Sequence, residues 1–229
     1  MVVIVAIAAH EERNRQMEVQ RAILAQAGIA SRFNFGIDSA DLVVSPTPEP
    51  TCFALTAGSR TSVYDTTRRI NGQPMSSETL SCSWSHLLIY EQLLEDSTYD
   101  LYLVIENDAE VLDRNLLVTL LNNLPEQFDV AHVGTSEWYP FERLDQVNEY
   151  FWNIQKRYFN NASAYVLSKT GAKKLLDFAA GTVSLPADDL LSNAFLLLPD
   201  FAVIVPEVNP MHSGPLGEIS TIDIDRSDS

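Results

Sequence analysis

Short apolar runs alternate with amphipathic helical segments along most of this sequence, and this alternation limits the fold more than any other feature. Residues 2–8 form a continuous β-branched apolar run, which is typical of a strand buried on both faces. Residues 12–27 follow with the acidic start and apolar stripe of a helix. The alternation predicts an α/β fold with a mostly parallel sheet and helices on both of its faces. The same patterns predict strands at 29–37, 101–105, 128–133, 162–167 and 201–205, and helices at 76–95, 113–122, 168–180 and 186–197.

The composition is that of a globular protein. The chain has 229 residues, of which 46% are hydrophobic and 20% are charged, and this balance excludes a wholly disordered protein. We therefore interpret residues 1–229 as a single domain. Two segments lack a regular pattern. Residues 39–71 are expected to form a long irregular loop, and residues 211–229 a polar C-terminal tail or lid.

The net charge of −16 limits the classes of partner. A chain this acidic is a poor general nucleic-acid binder, because neutralising phosphates requires clustered Lys and Arg. An anionic ligand would need a metal ion or a local arginine cluster to offset the repulsion. Cys52 and Cys82 are the only cysteines, and this favours a reduced, cytoplasmic setting over a disulfide framework. No apolar run approaches the ~20 residues of a membrane helix, so no transmembrane segment is predicted.

Two carboxylates follow a predicted buried strand. In parallel sheets, ligands bind beyond the carboxyl ends of the strands. Glu106 and Asp108 come directly after the strand at 101–105, and residues i and i+2 of an extended chain point the same way. Such a pair can bind Mg²⁺ or Mn²⁺ together with phosphate oxygens. Asp108 can equally cap a turn or the following helix.

Other polar side chains also have two interpretations. His10 and His212 each follow a strand, where a histidine can bind a metal or phosphate or simply be a polar loop residue. Cys82 and His86 are four residues apart on one helix face and could form a Cys-His nucleophile pair, although a mid-helix cysteine usually packs as a small hydrophobe. His132 lies inside a strand pattern and is expected in the core.

Acidic and basic pairs complete the candidates. Asp188 and Asp189 open a predicted helix, where the helix dipole explains them and a general base would also fit. Arg68 and Arg69, with Arg60 nearby, could hold a phosphate or an acidic sugar, or pair with surface carboxylates.

Six short segments stand out: Glu12-Arg13, LSCSWSH at 80–86, YLVIENDA at 102–109, ASAYVLSKTGA at 162–172, PADD at 186–189 and PMH at 210–212. In the same order, they resemble the ERR, GC-x-x-SH, EDDA, AYVLSKKGA, PVD and C-terminal motifs of glycosyltransferase family 25. This family includes lipooligosaccharide galactosyltransferases and the related collagen galactosyltransferases.

The resemblance implies a GT-A type, Rossmann-like fold and a metal-dependent, inverting transfer. The donor would be a nucleotide sugar such as a UDP-hexose carrying galactose or glucose, and the cofactor Mn²⁺ or Mg²⁺. The acceptor would be a glycan, a lipid-linked glycan or another hydroxyl compound, and peripheral contact with a membrane is compatible with it.

The resemblance also implies roles for individual residues. Asp108 and His212 would bind the metal, and Asp188 would be the general base. The residues expected to bind the donor are Arg13, Glu106 and His86.

Two positions depart from the family pattern. Asn107 replaces the middle acid of EDD, and Ser81 replaces the glycine of GC. The first change motivates an alternative function, in which the chain is a non-catalytic relative that binds a nucleotide sugar or a protein partner. A phosphate-ester metallohydrolase would need more carboxylate or histidine ligands than the sequence offers.

Overall fold

The structure is a computed structural model, and it describes residues 1–6, 11–68, 74–135, 141–159 and 161–213. The helices in these ranges are α1 (Glu11–Gln26), α2 (Ser77–Glu95), α3 (Arg114–Asn122), α4 (Lys169–Ala179) and α5 (Ala187–Leu197). The strands are β1 (Val2–Ala6), β2 (Ser31–Phe35), β3 (Val43–Pro46), β4 (Cys52–Ala57), β5 (Arg60–Asp65), β6 (Leu101–Glu106), β7 (Ala109–Val111), β8 (Val130–His132), β9 (Gly134–Thr135), β10 (Arg143–Gln146), β11 (Phe151–Ile154), β12 (Ala164–Ser168), β13 (Val203–Pro206) and β14 (Met211–Ser213).

The largest sheet of the described residues has eight strands in the order β10-β11-β13-β8-β12-β6-β1-β2. Strands β1, β2 and β6 pair in parallel, as do β8 and β13. Strand β12 runs antiparallel between β6 and β8, and β11 runs antiparallel between β10 and β13. Six of these eight strands therefore run in one direction, and the predicted α/β fold with a mostly parallel sheet is confirmed.

Helices cover both faces of this sheet, as the alternating burial of β1 requires. Val3 and Val5 of β1 belong to the core beneath α2, α4 and α5, and Val2 and Ile4 belong to the core beneath α1 and α3. Helices α2, α3 and α4 begin at side-chain caps on Ser76, Asp113 and Ser168, where the sequence predicts them. Among the described helices, none is both long enough and apolar enough to cross a membrane.

A three-stranded sheet in the order β7-β14-β9 lies beyond the end of β6. Strand β7 follows β6 after a turn at residues 107–108. Strand β14 runs antiparallel to β7, with His212 opposite Glu110. The prediction of a tail from residue 211 is therefore wrong at its start, because residues 211–213 gain backbone partners on both sides. Residues 214–229 lie outside the described ranges.

The prediction of an irregular loop at 39–71 is also wrong over most of its length. Strands β3, β4 and β5 form an antiparallel sheet, and a short 3-10 helix precedes them at Ser39–Asp41. Gly58 has φ +60° at the first position of the two-residue turn between β4 and β5, which matches the strand twist. Pro46 does not break the sheet because β3 is an edge strand. Residues 69–71 lie outside the described ranges.

Candidate active site

The face of α2 that looks onto the sheet carries three reactive side chains. Cys82, His86 and Tyr90 are spaced four residues apart, which places them on one helix face. His86 and Tyr90 have no exposed surface. Helix α2 therefore delivers a line of polar groups into an otherwise apolar interface.

The neighbouring strands aim their side chains at this line. Tyr102, Val104 and Glu106 alternate along β6 toward the α2 side, and Tyr102 and Val104 lie in the core cluster beneath α2. Strand β12 is antiparallel to β6 and places Tyr165 opposite Val104. Glu106 at the end of β6 and Tyr165 near the start of β12 thus face α2 together.

Consecutive hydrogen bonds connect these side chains, and we call this row of side chains the tyrosine chain. The Nδ1 atom of His86 lies 2.7 Å from the hydroxyl of Tyr165, and Nε2 lies 3.1 Å from Oε1 of Glu106. The hydroxyl of Tyr90 lies 2.9 Å from that of Tyr165. Burial raises the pKa of both tyrosines. Neither tyrosine is among the site residues predicted from the sequence, although a tyrosine inside an apolar strand signals a partner for its hydroxyl.

The charges of three carboxylates act on Cys82. Its pKa is raised well above the usual value by burial and then by the charges of Glu106, Asp188 and Asp108. The thiol lies 3.7 Å from Oε1 of Glu106. Because a raised pKa keeps the thiol protonated, Cys82 is a poor nucleophile. The three acids come from different parts of the sequence and form one centre of negative charge.

The segment after β6 is not extended, contrary to the sequence interpretation. Asn107 and Asp108 occupy a turn between β6 and β7. The amide Nδ2 of Asn107 donates to Oδ1 of Asn14 in α1, at 3.4 Å. The turn forms because β7 leaves β6 to pair with β14. The charges of Glu106 and Asp108 nevertheless both contribute to the raised pKa of Cys82.

Asp188 lies in the first turn of α5, and its pKa is raised from 3.8 to about 6. Burial is the largest cause, followed by the charges of Asp189 and Glu106. Its Oδ1 accepts a hydrogen bond of 2.9 Å from the backbone N–H of Asp189, which acts in the opposite direction. Asp189 itself accepts a hydrogen bond from the hydroxyl of Tyr158. Desolvation of Asp188 therefore outweighs the stabilisation that a helix start gives an acid.

The remaining predicted site residues differ in how much of each the structure describes. His212 lies in β14 beside β7, two positions along the register from the turn that holds Asp108. Arg13 lies in α1, but its side chain is outside the described part of the structure, and His10 and Arg69 are outside it altogether.

Arg68 and His132 have structural partners. Arg68 donates to the backbone carbonyl of Phe178 and its guanidinium lies over the Phe178 ring, so a phosphate site there is not supported. His132 is a buried core residue, as predicted. Its Nε2 lies 3.0 Å from the carbonyl oxygen of Asn161, and burial lowers its pKa.

Two groups of side chains carry atoms that can act as ligands to a cation. Ligand atoms of Cys82, His86 and Glu106 lie within 4.8 Å of one another. A metal there would have to displace the hydrogen bond between His86 and Glu106 and reverse the buried tyrosine chain. Glu106, Asp108 and Asp188 offer the carboxylate oxygens that Mg²⁺ and Mn²⁺ prefer, although within the described part of the chain these three residues do not form a cluster as tight as that of Cys82, His86 and Glu106.

Comparison with known proteins identifies the family. The sequence profile of glycosyltransferase family 25, described as LPS biosynthesis proteins, matches residues 59–191, which is more than half of the chain. The protein belongs to glycosyltransferase family 25. The family match includes His86, Glu106, Asp108 and Asp188, whereas Arg13 and His212 lie outside it.

A solved structure supports the fold of this family 25 protein. The chain is similar to the crystal structure of a glycosyltransferase involved in the glycosylation of the major capsid of PBCV-1, with a TM-score of 0.51 and 9% sequence identity. The similarity covers 99% of this chain and 96% of that chain. No curated protein sequence matches the chain significantly.

Proposed function

We propose that the protein is a GT-A type, metal-dependent and inverting glycosyltransferase. It would move a hexose, such as galactose or glucose, from a UDP-sugar to a hydroxyl group of a glycan or lipid-linked glycan. The observation that carries the proposal is that Glu106, at the end of β6, contacts the Cys82 thiol and that the charges of Asp108 and Asp188 act on the same thiol. Membership of the family supplies the reaction class.

The carboxylate centre gives a reason for metal dependence. Asp108 and His212 would hold Mn²⁺ or Mg²⁺, and the carboxylate of Asp108 is the kind of ligand that both ions prefer. When bound, the cation would offset the charge that develops on the leaving diphosphate. In a chain with a net charge of −16, it would also reduce repulsion of the anionic donor.

Asp188 is the proposed general base. The acceptor hydroxyl would give its proton to the Asp188 carboxylate while its oxygen bonds to the anomeric carbon of the sugar. The bond between that carbon and the diphosphate breaks, and its electron pair leaves on the phosphate oxygen. A pKa of about 6 suits this role, because the carboxylate is ionised at neutral pH and still basic enough to take a proton.

Glu106, His86 and Arg13 are the proposed donor-binding residues. Glu106 has a quarter of its side chain exposed, and it is therefore accessible to a ligand. His86 is buried behind it and acts on the donor through Glu106. Arg13 follows from the resemblance alone.

A panel of sugar nucleotides with and without Mn²⁺ tests the function. We expect one UDP-hexose to raise the melting temperature only with Mn²⁺, since a ligand at 100 times its Kd adds about 2.7 kcal/mol of stability. Slow release of free sugar from the same donor should accompany binding. Binding without either hydrolysis or transfer would instead favour the non-catalytic alternative that Asn107 motivates. Absence of any stabilising sugar nucleotide would contradict both.

A further inference from the structure

Two buried tyrosines lie directly behind the proposed donor-binding carboxylate. We infer that Tyr165, supported by Tyr90, is a positioning residue that fixes the tautomer of His86 and thereby the orientation of Glu106. This inference rests on the proposed function in that Glu106 binds the donor. The geometry of the tyrosine chain is independent of that function.

Backbone geometry alone brings the side chains of Glu106, His86, Tyr90 and Tyr165 together. His86 and Tyr90 lie one turn apart on α2, and the antiparallel register of β12 and β6 sets Tyr165 opposite Val104. The rings of His86 and Tyr165 stack with centroids 6.0 Å apart. Because His86, Tyr90 and Tyr165 have no exposed surface, water has no access to the hydrogen bonds between these three side chains.

One order of donors and acceptors satisfies all four side chains together. In it, Nε2 of His86 donates across the 3.1 Å to the carboxylate oxygen Oε1 of Glu106. A neutral imidazole has one N–H, so Nδ1 accepts from the Tyr165 hydroxyl at 2.7 Å. The Tyr165 oxygen then accepts from the Tyr90 hydroxyl at 2.9 Å.

The opposite tautomer is disfavoured. A proton on Nδ1 would turn the Nε2 lone pair toward the Glu106 carboxylate and set two acceptors 3.1 Å apart. It would also turn the Tyr165 hydroxyl toward Tyr90, whose own proton would then need a different acceptor. Burial makes an unmade hydrogen bond costly, so the tyrosines bias His86 toward the Nε2–H form.

The bias matters because it fixes one oxygen of Glu106. The contacts of the carboxylate with His86 and with Cys82 are both made through Oε1. With Oε1 held in this way, rotation of the carboxylate is restricted and so is the position of the second oxygen. We expect this oxygen to contact the donor.

The tautomer of His86 can be measured without any activity. Long-range ¹H–¹⁵N NMR of the wild-type protein at neutral pH distinguishes the two tautomers, and a His86→Gln variant assigns the signal. We expect the Nε2–H form. A predominant Nδ1–H form would overturn the inference, whether or not the enzyme turns over a sugar nucleotide. Conversely, a wild-type protein without turnover would contradict the proposed function and leave the tautomer result standing.

Substitution of Tyr165 tests the link to the donor. In Tyr165→Phe, we expect mixed tautomers and an approximately tenfold higher KM for the donor, within the range for groups that orient a site residue. The KM for the acceptor should be unchanged. Tyr90→Phe should have a smaller effect, because Tyr165 can still donate to Nδ1.

Tyr102→Phe is the matched control. Tyr102 is also buried on the α2 side of β6, and its hydroxyl donates to Asp96 at 2.5 Å, away from Glu106. We expect Tyr102→Phe to lower the melting temperature and leave the donor KM unchanged. An unchanged tautomer and donor KM in Tyr165→Phe, or an equal rise in donor KM in Tyr102→Phe, would overturn the inference.

Discussion

The carboxylates of Asp188 and Glu106 repel each other between the start of α5 and the end of β6. The charge of Glu106 contributes to the raised pKa of Asp188, after burial and the charge of Asp189. The same two acids, with Asp108, raise the pKa of Cys82. The site therefore concentrates negative charge that a proton or a cation would relieve.

Replacement of Asp188 separates its proposed chemical role from a structural one. Asp188→Asn should lower turnover 10²–10⁴-fold, the usual loss when a general base is removed. Donor affinity measured by calorimetry should stay nearly constant, because the donor does not contact this side chain in our proposal. Asp145→Asn is the control and should keep wild-type turnover, since Asp145 lies on the exposed strand β10. Retained turnover in Asp188→Asn would place the base elsewhere.

The pH dependence of turnover should report the pKa of Asp188. Because that pKa is about 6, the base is protonated and inactive below pH 6, and the rate should rise as pH increases through this value. A pH–rate profile of kcat/KM measures the rise. A rate that is independent of pH between 5 and 8 would contradict the assignment.

The stability of the protein should respond to pH in the opposite direction. The folded state binds the Asp188 proton more tightly than the unfolded state, so the free energy of unfolding falls as pH rises from about 4 to about 6. Asp188→Asn removes this loss and keeps an oxygen that can accept from the Asp189 N–H. We expect the variant to melt higher than wild type at pH 7.5 and at the same temperature below pH 4. Melting curves at both pH values test the sign.

Asp108 is the proposed metal ligand, and its replacement should remove metal dependence. In Asp108→Asn, the rise in melting temperature caused by Mn²⁺ with the sugar nucleotide should disappear, and metal-dependent transfer with it. Asp145→Asn on β10 is the control, because all residues of that strand are exposed. Full activity of Asp108→Asn with normal Mn²⁺ dependence would refute the metal assignment.

Asn107 tests whether the departure from the family motif weakens the enzyme. Its amide contacts Asn14 of α1, so we expect its side chain to act as a spacer beside the site. Asn107→Asp should change kcat/KM less than about tenfold, or about 1.4 kcal/mol of barrier. An increase of several orders of magnitude would show that the natural chain is a weakened relative.

Close packing explains why position 171, in the segment at 162–172, is a glycine. A Cβ at this position would lie 2.3 Å from the backbone oxygen of Asp129, so α4 must move away from the start of β8. Gly171→Ala should destabilise the protein by about 1–3 kcal/mol and lower its melting temperature by several degrees. Lys173→Ala, on the exposed side of the same helix, should stay within about 0.5 kcal/mol of wild type. Equal melting temperatures for the two variants would contradict the packing argument.

Much of the fold could be predicted because its signals are local. The caps of α2, α3 and α4 at Ser76, Asp113 and Ser168 appear in the sequence as polar residues before apolar stripes. The hairpin of β4 and β5 could not be read in the same way. Its alternation is interrupted by partial burial, and the neighbouring prolines are compatible with the sheet only because β3 is an edge strand.

The candidate site was predicted only in its parts. Strand ends, a helix start and a family resemblance indicate Glu106, Asp108 and Asp188 one by one, and their roles stay predictions. The expectation of an extended chain at 106–108 failed, because the turn there depends on the pairing of β7 with β14, far along the sequence. The tyrosine chain was missed because it depends on the register of β12.

The sequence by itself determined which segments become helices and strands, which faces are apolar, and where acids follow strands, because these depend on spacing along the chain. Only the tertiary structure decided that β12 runs antiparallel beside β6, so that Tyr165 meets His86, and that α5 brings Asp188 to the same carboxylates. Strand direction and register are set by backbone hydrogen bonds between distant segments, and charges couple only when folding brings them close.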